Sequence, residues 1–295
     1  MTKPALPHPL PYVQHHEPEL HSPVLVVALD GWIDAGLGAS TAMAALKEQL
    51  QPRLVVTFDP DVFIDYRARR PVMHLRDGVN TAITWPSIEL FSGQDPTGKD
   101  VLLLAGHEPD SEWRRFVEVT TALAIGFGTR LMVGLGAYPI AVPHTRPSLL
   151  SVSASTSELV ERLGYLHNSL DVPAGVQAAI ERAFADEGLP SIGLWAQVAH
   201  YASAMPYPMA SLALVEGLSS VADLTLSTES LLEASEAQRL RIDELVANNP
   251  ENVGLVRQLE AQWDTEVSRM TPGGNLPSGD QLAAELERFL RDQGR

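Results

Sequence analysis

Five short apolar runs, four of them followed by a stretch with helical spacing, constrain this chain more than any other feature. VLVVAL (24–29), RLVVTF (53–58), KDVLLLAG (99–106), RLMVGLG (130–136) and SIGLWAQVAHYA (191–202) read as strands. Those with nearly unbroken apolar character suit strands covered on both faces. Helical spacing occupies 39–50, 110–128, 153–166, 176–189 and 208–222. Strands alternating with helices of about a dozen residues specify a three-layer α/β/α sandwich with a mixed, mainly parallel sheet. One irregular region interrupts the alternation. Residues 72–75 and 81–86 flank RDGVN, whose Asp-Gly pair suits a hairpin turn.

The alternation stops near residue 225. Residues 1–225 read as the α/β domain and 226–295 as a helical extension. Two amphipathic helices are expected over 231–249 and 250–270, with Pro250 in a first turn where its missing N–H costs little. A third is expected over 280–290, opened by a Ser278 and Gln281 capping box. Val256, Leu259, Trp263, Val267 and Met270 make one apolar stripe, best used in packing onto the α/β body.

Composition excludes several functional classes. Lys and Arg number 21 against 37 Asp and Glu, a net charge of -16, which opposes nucleic-acid and anionic-membrane partners. The chain has no cysteine, so thiolate metal sites and cysteine nucleophiles are ruled out. Pro4, Pro7, Pro9 and Pro11 prevent a helical signal segment, and no apolar run approaches the ~20 residues of a membrane span. A cytoplasmic protein is expected.

The loop LDGWIDAGLGAS (29–40) joins a strand to a helix, where phosphates often bind. Gly31 and Gly36 have P-loop separation, but Leu37 and Gly38 stand where a lysine and a hydroxyl are required. Gly36 and Gly38 supply two glycines of a dinucleotide fingerprint, Thr41 replaces the third, and Asp59 lies where a ribose-binding acid would be. Asp30 and Asp34 place two carboxylates where an anion would sit. A structural strand-to-helix turn is the better reading.

Other candidate groups follow the remaining strands. His107 and Glu108, Tyr138, His144 with Arg146, and His200 stand at or beyond strand ends. Ligands bind at the carboxyl ends of open α/β sheets, so these residues, with Asp30, Trp32, Asp34 and Asp59, are candidates for one ligand- or partner-binding rim. Arg67, Arg69 and Arg70 concentrate positive charge; pairing with Asp59, Asp61 and Asp65 is the simplest use, and Arg67 is kept as a binding candidate. No H-E-x-x-H or G-x-S-x-G spacing is present, SVSASTS (151–157) reads as a loop and helix cap, and His8, His15, His16 and His21 read as flexible polar residues. No metal, cofactor or catalytic residue is assigned.

Four segments together, ALDGWIDAGLGAS, DPDVFIDYRARRP, GLGAYPIAVPHTRP and GLWAQVAHYASAMPYPMASLALVEGL, resemble the bacterial branch of the proteasome assembly chaperone 2 family over about the first three quarters of the chain. The resemblance implies a phosphorylase/hydrolase-like α/β/α sandwich with a mixed sheet. It also implies a non-catalytic assembly or interaction protein that binds a protein partner or self-associates as a trimer or dimer. The alternative reading is a hydrolase, a phosphorylase-like enzyme or a small-ligand binder using the strand-end rim.

Overall fold

The computed structural model describes residues 10–167 and 169–270. The expected third tail helix, its Ser278–Gln281 cap, His8 and the Met270 side chain lie outside the described residues. In chain order the elements are β1 (Tyr12–Gln14), β2 (Val24–Asp30), α1 (Gly38–Leu50), β3 (Arg53–Phe58) and α2 (Pro60–Phe63). The hairpin β4 (Val72–Arg76) and β5 (Val79–Thr84) follows, then β6 (Ile88–Gln94), β7 (Asp100–His107), α3 (Trp113–Gly126) and β8 (Leu131–Ile140). The chain continues through β9 (Leu150–Ala154), α4 (Ser157–Leu163), α5 (Val176–Asp186), β10 (Ser191–Ala199), α6 (Pro208–Ala222), α7 (Glu229–Ala247) and α8 (Pro250–Met270).

Eight strands form one sheet in the order β1-β3-β6-β7-β2-β8-β10-β9. Its four central strands, β7-β2-β8-β10, run parallel. The remaining pairs are antiparallel, so the expectation of a mainly parallel sheet narrows to this centre. β2 is buried from Val24 to Ala28 because helices cover both faces. On one face Val24, Val26, Leu103 and Leu135 pack with α1, α6 and α7; on the other Leu25, Val27, Leu102 and Met132 pack with α3 and α5. This period-2 division of alternate residues between two cores is what an internal strand requires.

The tail is continuous with the first of these cores, to which α7 contributes Leu231 and Ile242. On α8, Val256 and Leu259 of the apolar stripe are buried and Trp263 is half-buried. No described helix is long and apolar enough to cross a membrane.

Three strands differ from the sequence reading. β1 and β6 were not anticipated, and the segment read as a serine-rich loop carries β9, an antiparallel edge strand on β10. The helix expected from 153 begins at Ser157, where the Thr156 hydroxyl accepts from Leu159 N at 3.3 Å. The hairpin turn forms as expected: Asp77 and Gly78 both take positive φ, 50° and 78°, matching a type I′ turn.

Candidate functional site

The site begins where two parallel strands part. β2 pairs with β8 from Val24↔Leu131 to Val27↔Gly134 and then separates from it. Beyond that point β2 leads through α1 to β3 on one side of the sheet, while β8 leads to β9 and β10 on the other. Such a reversal leaves a crevice at the strands' carboxyl ends. Here the crevice is lined by Asp30, Trp32, Asp34, Ser40, Glu108 and Trp195, with Gln177 and Gly175 at the α5 end.

Glycines in β8 and β10 make room for its floor. A Cβ at Gly134 would lie 2.3 Å from the Gln177 side-chain amide, and one at Gly136 would lie 2.3 Å from Trp195 Cζ3. With its amide nitrogen turned toward the sheet, Gln177 donates to Val27 O at 3.3 Å and Leu135 O at 3.1 Å, bridging the strands where they separate. Behind Trp195, its Nε1 donates to Ser153 Oγ at 3.4 Å and Ser153 Oγ donates to Glu181 at 3.0 Å. Burial raises the Glu181 carboxyl above its usual range, and the Ser153 bond opposes that rise.

The glycine loop over the crevice contains its own anion. Leu37, at the N-cap position of α1, is left-handed and makes no side-chain cap. Asp34 reaches forward instead, accepting from Ala39 N at 2.7 Å and Ser40 N at 3.0 Å, and from the Ser40 hydroxyl. A phosphate would need those same donors. Glu108 does the same for α5, accepting from Val176 N at 2.6 Å. Both helix N-termini at the crevice therefore hold a carboxylate of the chain itself. Asp30, at the exposed end of β2, accepts from Ser40 Oγ at 3.1 Å.

Of the rim residues read from the sequence, the structure gathers Asp30, Trp32, Asp34 and Glu108 and disperses the others. Asp59 caps α2 through Asp61 N at 3.0 Å. His107 pairs with Asp30 across the strands, but its side chain is not part of the crevice lining; its buried Nδ1 has no partner among the described residues. The Tyr138 hydroxyl accepts from Ser151 Oγ at 3.2 Å and Gln197 Nε2 at 3.3 Å. His200 opens a single turn after β10 and packs edge-on against Tyr201.

His144 is 1% exposed and faces the tail: Nδ1 lies 2.7 Å from the Tyr201 hydroxyl and Nε2 lies 3.0 Å from Asp243 on α7. Its neighbours extend the clamp, Thr145 to Glu260 and Arg146 to Asp264 at 2.8 Å. Burial pushes the Tyr201 hydroxyl up to about 12. Arg69 pairs with Asp110 at 3.1 Å rather than with Asp59, Asp61 or Asp65. Arg67 and Arg70 are exposed, with no ion pair among the described residues. Nor do those residues hold three grouped His, Asp or Glu able to bind a metal ion.

The sequence reading missed Ser40, Gln177, Trp195 and Glu181. The available signal was GLG (134–136) and GLW (193–195), because glycine inside a strand marks a close approach.

The second feature of the rim is the hairpin. β3 and β7 are each antiparallel to β6, so both end at the same edge, and the chain leaving β3 builds β4–β5 there. Among the described residues β4 and β5 pair only with each other. Val72, Met73, Leu75, Val79 and Ile83 are 46–61% exposed, and Trp85 at the base packs against Tyr66 with ring centroids 5.0 Å apart.

A family model described as the PAC2 family matches residues 28–246. Comparison with curated proteins returns no match. Among solved structures, a Mycobacterium tuberculosis protein of unknown function is 34% identical, with a TM-score of 0.82, covering 90% of this chain and 95% of its own. A Corynebacterium glutamicum protein of unknown function is 32% identical, with a TM-score of 0.83, covering 88% of this chain and 98% of its own. A Mycobacterium tuberculosis proteasome-assembly chaperone homologue is 32% identical, with a TM-score of 0.74, covering 79% of this chain and 99% of its own.

Proposed function

This chain belongs to the PAC2 family, and from that premise we propose that it acts without catalysis, as a cytoplasmic assembly or interaction protein whose rim hairpin docks onto protein. The exposed hairpin carries this reading. An isolated two-stranded hairpin is at best marginally stable in water, and exposed apolar residues concentrated on one arm, as here, mark interaction sites. The relative described as a proteasome-assembly chaperone homologue agrees with a role exercised through protein contacts.

The crevice lends little support to the enzymatic alternative. No histidine or lysine lines it, and its one hydroxyl nucleophile, Ser40, is held against two carboxylates. A serine needs an adjacent base held in turn by a third group, whereas His144, which has two such partners, is buried under the tail.

The partner in this reading is a second copy of the chain. The hairpin and its base carry the exposed cations Arg67, Arg70 and Arg76, while the chain as a whole carries -16. A basic arm meeting an acidic body is a contact between unlike patches, which forms a small ring when the rotation between copies closes. Sedimentation of the wild type and of a Val72→Thr, Met73→Thr, Val79→Thr, Ile83→Thr variant tests it. We expect a trimer or dimer for the wild type, and a monomer with an unchanged far-UV spectrum for the variant. A wild type that remains monomeric at every accessible concentration refutes the reading.

A further inference from the structure

We propose that the crevice between β2 and β8 is the receptor for the hairpin of a neighbouring copy, taking the Arg76 guanidinium against Asp30 and the exposed face of Trp32. The inference rests on the self-association reading above and names the two surfaces that meet.

The crevice selects the charge of its occupant. Asp34 and Glu108 already occupy the N-termini of α1 and α5, so the backbone donors that would attract an anion are used internally. Among the described residues the lining contains three carboxylates and no basic side chain. Of two nearby cations, the Arg69 guanidinium, which a Cβ at Gly31 would meet at 2.6 Å, is paired with Asp110. Lys47 sits 4.0 Å from the centre of the Phe91 ring and touches Asp30 only through its field; burial pushes its amine below the usual range, against the attraction of Glu89 and Asp30. Asp30 retains an exposed carboxylate with a single recorded hydrogen bond, from Ser40. Two tryptophans line the same crevice: Trp32, 51% exposed, and half-buried Trp195. An indole face beside a carboxylate suits a planar guanidinium, through cation–π attraction and a charge-assisted hydrogen bond.

The hairpin supplies the complement. Arg76 immediately precedes the Asp77–Gly78 turn and is exposed, and its guanidinium donates to the adjacent Leu75 carbonyl and to no other group among the described residues. Five residues of β4 at about 3.3 Å each carry that end roughly 16 Å along the strand, far enough to reach a neighbour while the arm's apolar residues cover the ground between. Arm and crevice are different surfaces, so each copy offers one of each and the contact is heterologous.

Charge reversal tests the pairing. Arg76→Glu and Asp30→Arg, each alone, are expected to weaken association at least tenfold by sedimentation equilibrium, with thermal unfolding of the monomer unchanged. The double variant, whose acidic arm meets a basic crevice, is expected to recover association. If neither single variant changes the assembly while the threonine-substituted hairpin still dissociates it, this pairing is overturned and the self-association reading survives. If the single variants dissociate and the double does not recover, the pairing is likewise overturned.

Discussion

Replacing Asp34 with alanine should separate the structural carboxylate of the glycine loop from the binding one. Asp34 is half-buried and accepts two backbone N–H bonds and a hydroxyl bond at the start of α1, three residues before the N-cap position. Loss of a capping carboxylate typically costs about 1 kcal/mol, up to ~2 where the cap is well formed. Its charge at the helix N-terminus contributes about another 0.5–1 kcal/mol. The sum is a destabilisation of roughly 1.5–3 kcal/mol. Asp30→Asn keeps an acceptor for Ser40 at an exposed position, and should cost no more than ~0.5 kcal/mol. Urea unfolding followed by tryptophan fluorescence measures both, and an unchanged m-value would show that the midpoint shift reports stability. Asp34→Asn, which keeps an oxygen acceptor and loses the charge, should fall between them. The reasoning fails if Asp34→Ala costs under ~0.5 kcal/mol, or if Asp30→Asn destabilises as much.

Further outcomes follow from other groups. Burial raises the folded-state pKa of Glu181, so its contribution to stability is retained below the unfolded value and lost as pH rises through the folded one; Glu181→Gln should therefore be more stable than wild type at neutral pH and equal to it in acid, as urea melts at both would show. His144→Ala strips the Tyr201 hydroxyl and Asp243 of a shared partner at a buried position and should cost about 2–4 kcal/mol, with proteolysis of α7 and α8 accelerated. Gly136→Ala puts a methyl 2.3 Å from the Trp195 ring; it should cost roughly 1–3 kcal/mol and shift tryptophan emission, whereas Gly126→Ala, with open space around its Cβ position, should do neither.

Local pattern carried the reading a long way. Unbroken apolar runs identified the central strands β2, β7, β8 and β10 because covered faces demand apolar residues at every position. The Asp-Gly pair identified the hairpin turn because few residue pairs tolerate two positive φ values in succession. β6 and β9 escaped notice for the converse reason: both are antiparallel, and each leaves alternate positions only part-buried, which relaxes the apolar demand. The two acids of LDGWIDAGLGAS argue against a phosphate by local charge alone.

What remained for the tertiary structure was the pairing of distant groups. His107 ends β7, Tyr138 lies within β8, and His144 and His200 follow β8 and β10, yet Tyr138 turns to β9 and β10 and His144 is drawn beneath α7 by Asp243. Gln177 and Trp195 stood in segments read only as a helix and a strand, and became the crevice floor because glycines at 134 and 136 left space above β8. By itself the sequence determined the central strands, most of the helices, the hairpin turn and the unsuitability of the loop for an anion, because these depend on periods of two or 3.6 residues and on short-range charge. Only the tertiary structure decided that Asp34 serves α1 while Asp30 faces outward, because side-chain direction at the parting of β2 and β8 depends on the register of strands about a hundred residues apart in the chain.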